Sequence, residues 1–170
     1  ASRGCMVVVN NRTGYLADEV VGEIQAFGGI AVADHTDIGS MAGDQIVQTA
    51  IQHFGKVDII ICNAGQLEDR RFEVMQDEHW TGIMKTHING HMKMLKAAWP
   101  YFMGQHYGRV VLTSSTSGTY GNNGQSNYGA AKSSLWAIGQ TLAMEGHKHG
   151  INVNILLPEA RTRMTDDIMP

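Results

Sequence analysis

Long apolar runs are missing from this sequence. No stretch reaches the ~20 consecutive apolar residues of a membrane-spanning helix, and no signal-peptide pattern opens the 170-residue chain. Cysteine is scarce: Cys5 and Cys62 are too few for a disulfide framework, and Cys62 sits in an apolar run. A reducing compartment, the cytoplasm by default, is therefore expected. Only three prolines occur and no Ser/Pro-rich tract, which argues against an internal linker and for one domain over residues 1–170. Positive charge is not in excess. Thirteen Lys and Arg against 16 Asp and Glu give a net charge of -3, so neither nucleic acid nor a membrane surface is an expected partner. The last residues, Asp167-Ile168-Met169-Pro170, are not a peroxisomal address. No internal repeat and no G-x-S-x-G nucleophile elbow occur, and the latter excludes one common hydrolase design.

What is present alternates between two periods. Cys5–Val9, Ile30–Ala33, Val57–Cys62, Arg109–Thr113 and Ile151–Leu157 are short apolar, mostly β-branched runs, read as buried parallel strands. Between them lie segments with helical spacing. Ala17–Phe27 places Val20, Val21, Ile24 and Phe27 on one side before Gly28-Gly29. Met41–Phe54 turns Ile46, Val47, Ala50 and Ile51 to the core. Asp77 to about Gln105 reads as one long helix, with a break near Gly90, a kink at Pro100 and a core stripe of Met84, Ile88, Met92 and Leu95. Ser126–Glu145 is the last helix. Strands alternating with helices predict an α/β, doubly wound parallel sheet.

One stretch carries chemistry. Gly108–Ser115 is a strand leading into a small-residue loop, and the following helix bears Tyr128 and Lys132 one turn apart on one face. A free phenol titrates near ~10 and is a poor acid or base at neutral pH. An ammonium beside it favours the phenolate and lowers that value. A tyrosine so tuned passes protons to and from a substrate oxygen, and a serine hydroxyl, here Ser115, hydrogen-bonds the same oxygen. Without the serine, Tyr and Lys at this spacing are an ordinary helix surface.

Ser115, Tyr128 and Lys132 resemble the catalytic set of the short-chain dehydrogenase/reductase family, and Cys62-Asn63-Ala64-Gly65 resembles its N-N-A-G motif with Cys62 in place of the first Asn. Within that family the sequence is similar to the 3-hydroxyacyl-CoA dehydrogenase units of the peroxisomal multifunctional enzyme, type 2. The residues that carry this are Ala97-Ala98-Trp99-Pro100-Tyr101, the run Gly118–Tyr128, Arg163-Met164-Thr165 and Met169-Pro170. The resemblance implies a Rossmann-like fold and an NAD(P)-dependent oxidoreductase. Such an enzyme interconverts a secondary alcohol and a ketone on a small-molecule, 3-hydroxyacyl-CoA-like substrate. It also implies a homodimer or homotetramer, and a peroxisomal setting if the chain is part of a longer multifunctional enzyme.

The resemblance assigns further residues. His87 stands where most members place an Asn in a proton relay through Lys132; the multifunctional type has His. His87 and His91 also share a metal-ligand spacing, but no third ligand is evident and no metal is expected. Asn63, Ala64 and Gly65 would line the adenosine ribose, although Asn-Ala-Gly after a strand is equally a turn. Asp37 with Ile38 would hold the adenine, or Asp37 would cap a helix. Asn11 removes the acidic charge that repels a 2′-phosphate and Arg12 could pair with one, a tilt from NAD toward NADP. Tyr128 and Lys132 would also touch the cofactor ribose, and Pro158 would open the nicotinamide loop, where Glu159 and Arg161 depart from the family pattern.

A dinucleotide fold also needs a glycine loop between its first strand and helix. None precedes Val7 in this sequence, and Gly118, Gly121 and Gly124 have the wrong spacing. The expectation is a sheet truncated at both ends, lacking its first strand and glycine loop, with two halves facing each other across a gap. A second function class stays open: a catalytically inactive remnant serving association through Trp136, Ile138 and Leu142.

Overall fold

The computed structural model describes residues 1–158. Glu159, Arg161 and the motif residues from Arg163 onward lie outside the described residues.

Five short β-branched runs form strands, because branched side chains pack well on a pleated surface. They are β1 (Val7–Asn10), β2 (Ala31–Asp34), β3 (Ile59–Cys62), β4 (Gly108–Thr113) and β5 (Ile151–Leu156). Every pairing is parallel: β1 with β2 in register Val7↔Ala31, β3 with β4 in register Ile59↔Arg109, and β4 with β5 in register Gly108↔Ile151. The strands make two sheets, β1-β2 and β3-β4-β5, and no ladder joins β1 to β3. The expected gap is there.

Helices α1 (Gly14–Ala26), α2 (Gly43–Phe54), α3 (Asp77–Met84), α4 (His91–Gln105), α5 (Ser117–Tyr120) and α6 (Ser126–Gly146) connect and cover them. Right-handed crossovers place α2, α4 and α6 on one face and α1 on the other. The core lies on the first face. There Ile46, Val47 and Ala50 of α2 meet Met94, Leu95, Ala98 and Phe102 of α4 over Ile60, Val110 and Leu112, with Ile138 and Leu142 of α6 against them.

Two apolar stripes differ from expectation. The long helix runs through Pro100, but residues Lys85–Gly90 form a π-helical turn between α3 and α4. Its extra residue rotates the buried face onto Ile83, His87, His91, Met94, Leu95, Ala98 and Phe102, and leaves Met84, Ile88 and Met92 only half-buried. Helix α1 buries only Ala17, while Val20 and Phe27 stay exposed. Its face has only a two-stranded half-sheet to pack on.

The halves are joined chiefly on the core face, with one Arg12–Gln66 hydrogen bond of 3.1 Å across the mouth between them. Gly43 at the start of α2 and Gly90 at the end of the π turn let backbones meet. A Cβ on Gly43 would stand 2.5 Å from the Gly90 carbonyl oxygen, and one on Gly90 would collide with the Ile38 carbonyl.

Candidate active site

Between the two half-sheets lies a cleft of about 1660 Å³. Its polar end is built from the C-terminal ends of β1, β3 and β4, where parallel sheets place their sites. Asn11, Arg12, Asp37, Ile38, Asn63, Ala64, Gly65, His87, Ser115, Tyr128, Lys132 and Pro158 all border it. By contrast, Gly118, Gly121 and Gly124 line a separate pocket of about 380 Å³ with Phe72 and Gln125.

The residues expected to react, Ser115 and Tyr128, sit at the β4 exit. Strand β4 stops at Thr113, two residues before the expected end, and Ser115 follows in a turn where its Oγ accepts the Ser117 N–H at 3.2 Å. Helix α6 is steered into place by residues that spacing did not reveal. Asn127 is fully buried; its Nδ2 donates to the carbonyls of Glu68 (3.0 Å) and His79 (3.1 Å), and its Oδ1 accepts the Tyr128 N–H at 2.8 Å. Gln125, also buried, accepts from Ser117 Oγ at 2.8 Å and donates to Asp69 at 2.8 Å. Ser114 Oγ donates to the Lys132 carbonyl at 2.7 Å. For Ser114 and Asn127 the available signal was a polar residue directly beside Ser115 and Tyr128; for Gln125 it was its place at the start of α6.

Tyr128 is half-buried. Burial raises its pKa, and the neighbouring Ser115 hydroxyl opposes that rise without overcoming it. The expected lowering by Lys132 is therefore corrected. Lys132 is buried and its Nζ donates to the Thr113 carbonyl at 2.6 Å, 5.5 Å from the centre of the Tyr128 ring. A carbonyl at the strand end has captured the ammonium, and desolvation brings its pKa down to about 8.

His87 stands edge-on to Tyr128, ring centres 5.3 Å apart. It reaches there because Gly65 has no side chain: a Cβ would lie 2.5 Å from His87 Cε1. His87 Nε2 lies 2.9 Å from the Gln66 carbonyl, and Nδ1 has no partner. His91, one turn on, places Nδ1 3.0 Å from the His87 carbonyl and leaves Nε2 unpartnered. Burial first, then the nearby Lys132 charge, pushes both histidines down to about 4. Cys62 below them is fully buried, and desolvation pushes its thiol up to about 12.

At the rim, Asp37 caps a short turn by accepting the Gly39 N–H at 2.9 Å, so its cap role is realised, and Ile38 beside it is buried. Asn11 Oδ1 accepts the Thr13 N–H at 2.9 Å, and Arg12 donates to Gln66 Oε1 at 3.1 Å. Asn63, Ala64 and Gly65 are exposed at the β3 exit.

The model of the short chain dehydrogenase family matches residues 1–169. The peroxisomal hydratase-dehydrogenase-epimerase of Saccharomyces cerevisiae is 45% identical over 179 positions, covering 100% of this chain and 20% of the relative. Peroxisomal multifunctional enzyme type 2 of Mus musculus is 42% identical over 179 positions, covering 100% of this chain and 24% of the relative. The crystal structure of a short chain dehydrogenase from Mycobacterium avium superposes with a TM-score of 0.90 at 35% identity, covering 97% of this chain and 62% of that one. The chain thus spans about a fifth to a quarter of these two curated relatives. With the family model matched from Ala1 to Met169 and the fold shared at this level, the chain belongs to the short-chain dehydrogenase family.

Proposed function

We propose that this chain carries the proton-transfer and substrate face of an NAD(P)-dependent dehydrogenase acting on a secondary alcohol of the 3-hydroxyacyl-CoA type. The observation that supports it best is the meeting of Ser115 and Tyr128 at the exit of β4, on one cleft with every residue assigned to the cofactor. The names of the two peroxisomal relatives support a peroxisomal setting, and a hydroxyacyl-CoA dehydrogenase of Mycobacterium tuberculosis, 36% identical over 182 positions, supports the substrate class.

Tyr128, its pKa raised, is protonated at neutral pH and hands its proton to the oxygen of a ketone. Ser115 donates a hydrogen bond to the same oxygen as charge develops there. In the oxidative direction Tyr128 must first release its proton to solvent, and the phenolate then takes the hydroxyl proton. That step requires Lys132 Nζ to leave the Thr113 carbonyl for the phenol, the one rearrangement the reading demands. His87 packs on Tyr128 and fixes its ring.

A bound nicotinamide supplies hydride transfer. The chain fits that group unevenly. Tyr128 and Lys132 offer polar contacts to the nicotinamide ribose, the exposed Asn63-Ala64-Gly65 turn offers them to the adenosine ribose, and Arg12 at the rim favours a 2′-phosphate, hence NADP. The pyrophosphate half does not fit. It calls for a helix N-terminus with a glycine turn, and among the described residues the middle of the cleft presents Val8, Ile59 and Ile61 instead. The second reading, an inactive association module in a homo-oligomer, keeps the exposed Trp136 but loses Ile138 and Leu142, which pack against the core.

The test is turnover of 3-hydroxybutyryl-CoA with NAD⁺ and NADP⁺ by the protein expressed from its own transcript, beside Tyr128→Phe and Ser115→Ala. Tyr128→Phe is expected to lose roughly 10²–10⁴-fold in kcat with unchanged circular dichroism. Full activity in Tyr128→Phe overturns the mechanism. A folded wild type with no turnover of either nucleotide leaves the association reading.

A further inference from the structure

The loop after β3 is stapled to the turn that opens α6 by three bonds, one at each of three successive residues. Asn127 Nδ2 donates to the Glu68 carbonyl at 3.0 Å, Gln125 Nε2 donates to Asp69 Oδ2 at 2.8 Å, and the Arg70 N–H donates to the Gly124 carbonyl at 2.8 Å. Asn127 and Gln125 are both buried. Asp69 is exposed, yet it is fixed against the residues that lead into Tyr128.

From Asp69 a chain of hydrogen bonds runs to Ser115. With Nε2 turned to the carboxylate, Gln125 presents its Oε1 to Ser117 Oγ at 2.8 Å and to Asn122 Nδ2 at 3.2 Å. The Ser117 N–H in turn donates to Ser115 Oγ at 3.2 Å. A carboxylate only accepts, so it decides which way round the Gln125 amide sits. A serine oxygen that accepts from Ser117 keeps its own proton for the Tyr128 phenol or a substrate oxygen.

The charge itself stays uncompensated. Among the described residues no Lys, Arg or His nitrogen pairs with the Asp69 carboxylate, and Arg70 turns its Nη1 to the Asp69 main-chain carbonyl at 2.6 Å instead. Burial raises the Tyr128 pKa, the Ser115 hydroxyl opposes the rise, and the Asp69 charge adds to it. The other groups around the phenol are His87 of the π turn, held neutral, and Lys132 of the same helix, whose ammonium is bonded to the Thr113 carbonyl.

We infer that Asp69 is a positioning residue for the proton transfer: through Gln125 and Ser117 it orients the Ser115 hydroxyl, and it sets a fixed negative charge beside the Tyr128 phenol. A negative neighbour disfavours the phenolate, so the site is biased toward giving a proton, the direction of ketone reduction. The inference rests on the reading of Ser115 and Tyr128 as the residues that react.

The experiment uses the protein expressed from its own transcript and two variants. Asp69→Asn keeps an oxygen for Gln125 Nε2 and removes the charge; Asp69→Ala removes both. Tyrosine labelled with ¹³C at Cζ reports ionisation by NMR, and Tyr128→Phe identifies which of the five tyrosine signals belongs to Tyr128. Near about pH 10 the phenolate-to-phenol ratio of Tyr128 is expected to be roughly three- to tenfold higher in Asp69→Asn than in wild type at low salt. That difference is expected to shrink in about 1 M salt, as a charge effect must. The oxidative limb of the pH–rate profile is expected to move to lower pH with it. Asp69→Ala is expected to add faster exchange of the Ser117 amide and a roughly tenfold lower kcat for reduction at nearly constant KM, and Asp69→Asn to show neither. An unchanged Tyr128 titration in Asp69→Asn overturns the inference, whatever Asp69→Ala does to the fold. So does wild-type exchange at Ser117 in Asp69→Ala. A titration that moves as expected in a protein that turns over neither nucleotide keeps the orienting chain and the charge and defeats the dehydrogenase reading. Turnover abolished by Tyr128→Phe, with a titration that Asp69→Asn leaves unmoved, defeats the inference and keeps that reading.

Discussion

The two half-sheets solve the same folding problem with different means. In the larger, β4 is flanked by strands on both sides, Val110 and Leu112 are fully buried, and Phe102 seals the layer below. In the smaller, every residue of β1 is only half-buried, and a carboxylate does the fastening. Asp34 accepts from Asn10 Nδ2 at 2.9 Å, the Thr36 N–H at 2.9 Å and Thr49 Oγ1 at 2.6 Å, tying β1, β2 and α2 together. Burial raises the pKa of that carboxyl, and the hydrogen bonds, Thr49 foremost, bring it below its ordinary value. A strand buried on both faces can rely on apolar contact; a strand with one open edge needs directional bonds. The smaller half is thus expected to open first.

Gly90→Val should have the largest effect, because its side chain would drive into the Ile38 carbonyl and force the halves apart. A loss of more than about 3 kcal/mol is expected in urea unfolding. Next, Phe102→Ala in the larger half should cost about 3–5 kcal/mol. Val8→Ala in the smaller half should cost less than about 1 kcal/mol, because that side chain is half-exposed already. Equal losses would break the contrast between the halves.

Acid should act on the larger half. His87 and His91 are held neutral at about 4 in the fold and titrate near 6.5 when unfolded. The unfolded chain therefore binds more protons between those values, and stability falls as pH drops from about 6.5 to about 4. At 1.36 kcal/mol per pH unit, the loss is at most about 3 kcal/mol for each. Lys132 works at the other end: held at about 8 against an ordinary 10.5, it makes stability rise between those pH values. His87→Asn/His91→Asn should flatten the acid limb of melting temperature against pH. Asp34→Asn is expected to cost about 1 kcal/mol, seen as faster amide exchange in β1 and β2.

The strands were legible because β-branched runs such as Val7-Val8-Val9 and Ile59-Ile60-Ile61 have few other uses, and the sheet gap was legible because Ala1–Met6 are too few to supply a strand and a glycine loop. The π turn was not. One extra residue between Lys85 and Gly90 carries no composition signal, yet it decides whether Ile88 or His87 faces inward. The same limit applies at the site. Spacing put Tyr128 and Lys132 on one face, but a free carbonyl at Thr113 decided where the ammonium went. The apolar spacing of α1 was read correctly as a stripe; what covers a stripe is a property of its neighbours, which spacing does not contain.

Because Gly43 and Gly90 join the halves through one helical layer, with no ladder across the sheet, they act as a pivot. The soft mode of such a molecule changes the width of its mouth. Ser115, Tyr128, Lys132 and His87 all ride on the β4 side of that pivot, and Asn11, Arg12 and Asp37 on the other. Opening therefore leaves the arrangement of Ser115, Tyr128, Lys132 and His87 untouched, while it breaks the Arg12–Gln66 hydrogen bond and alters the reach between the two banks. Alignment for chemistry and admission of a long ligand are mechanically decoupled in this fold.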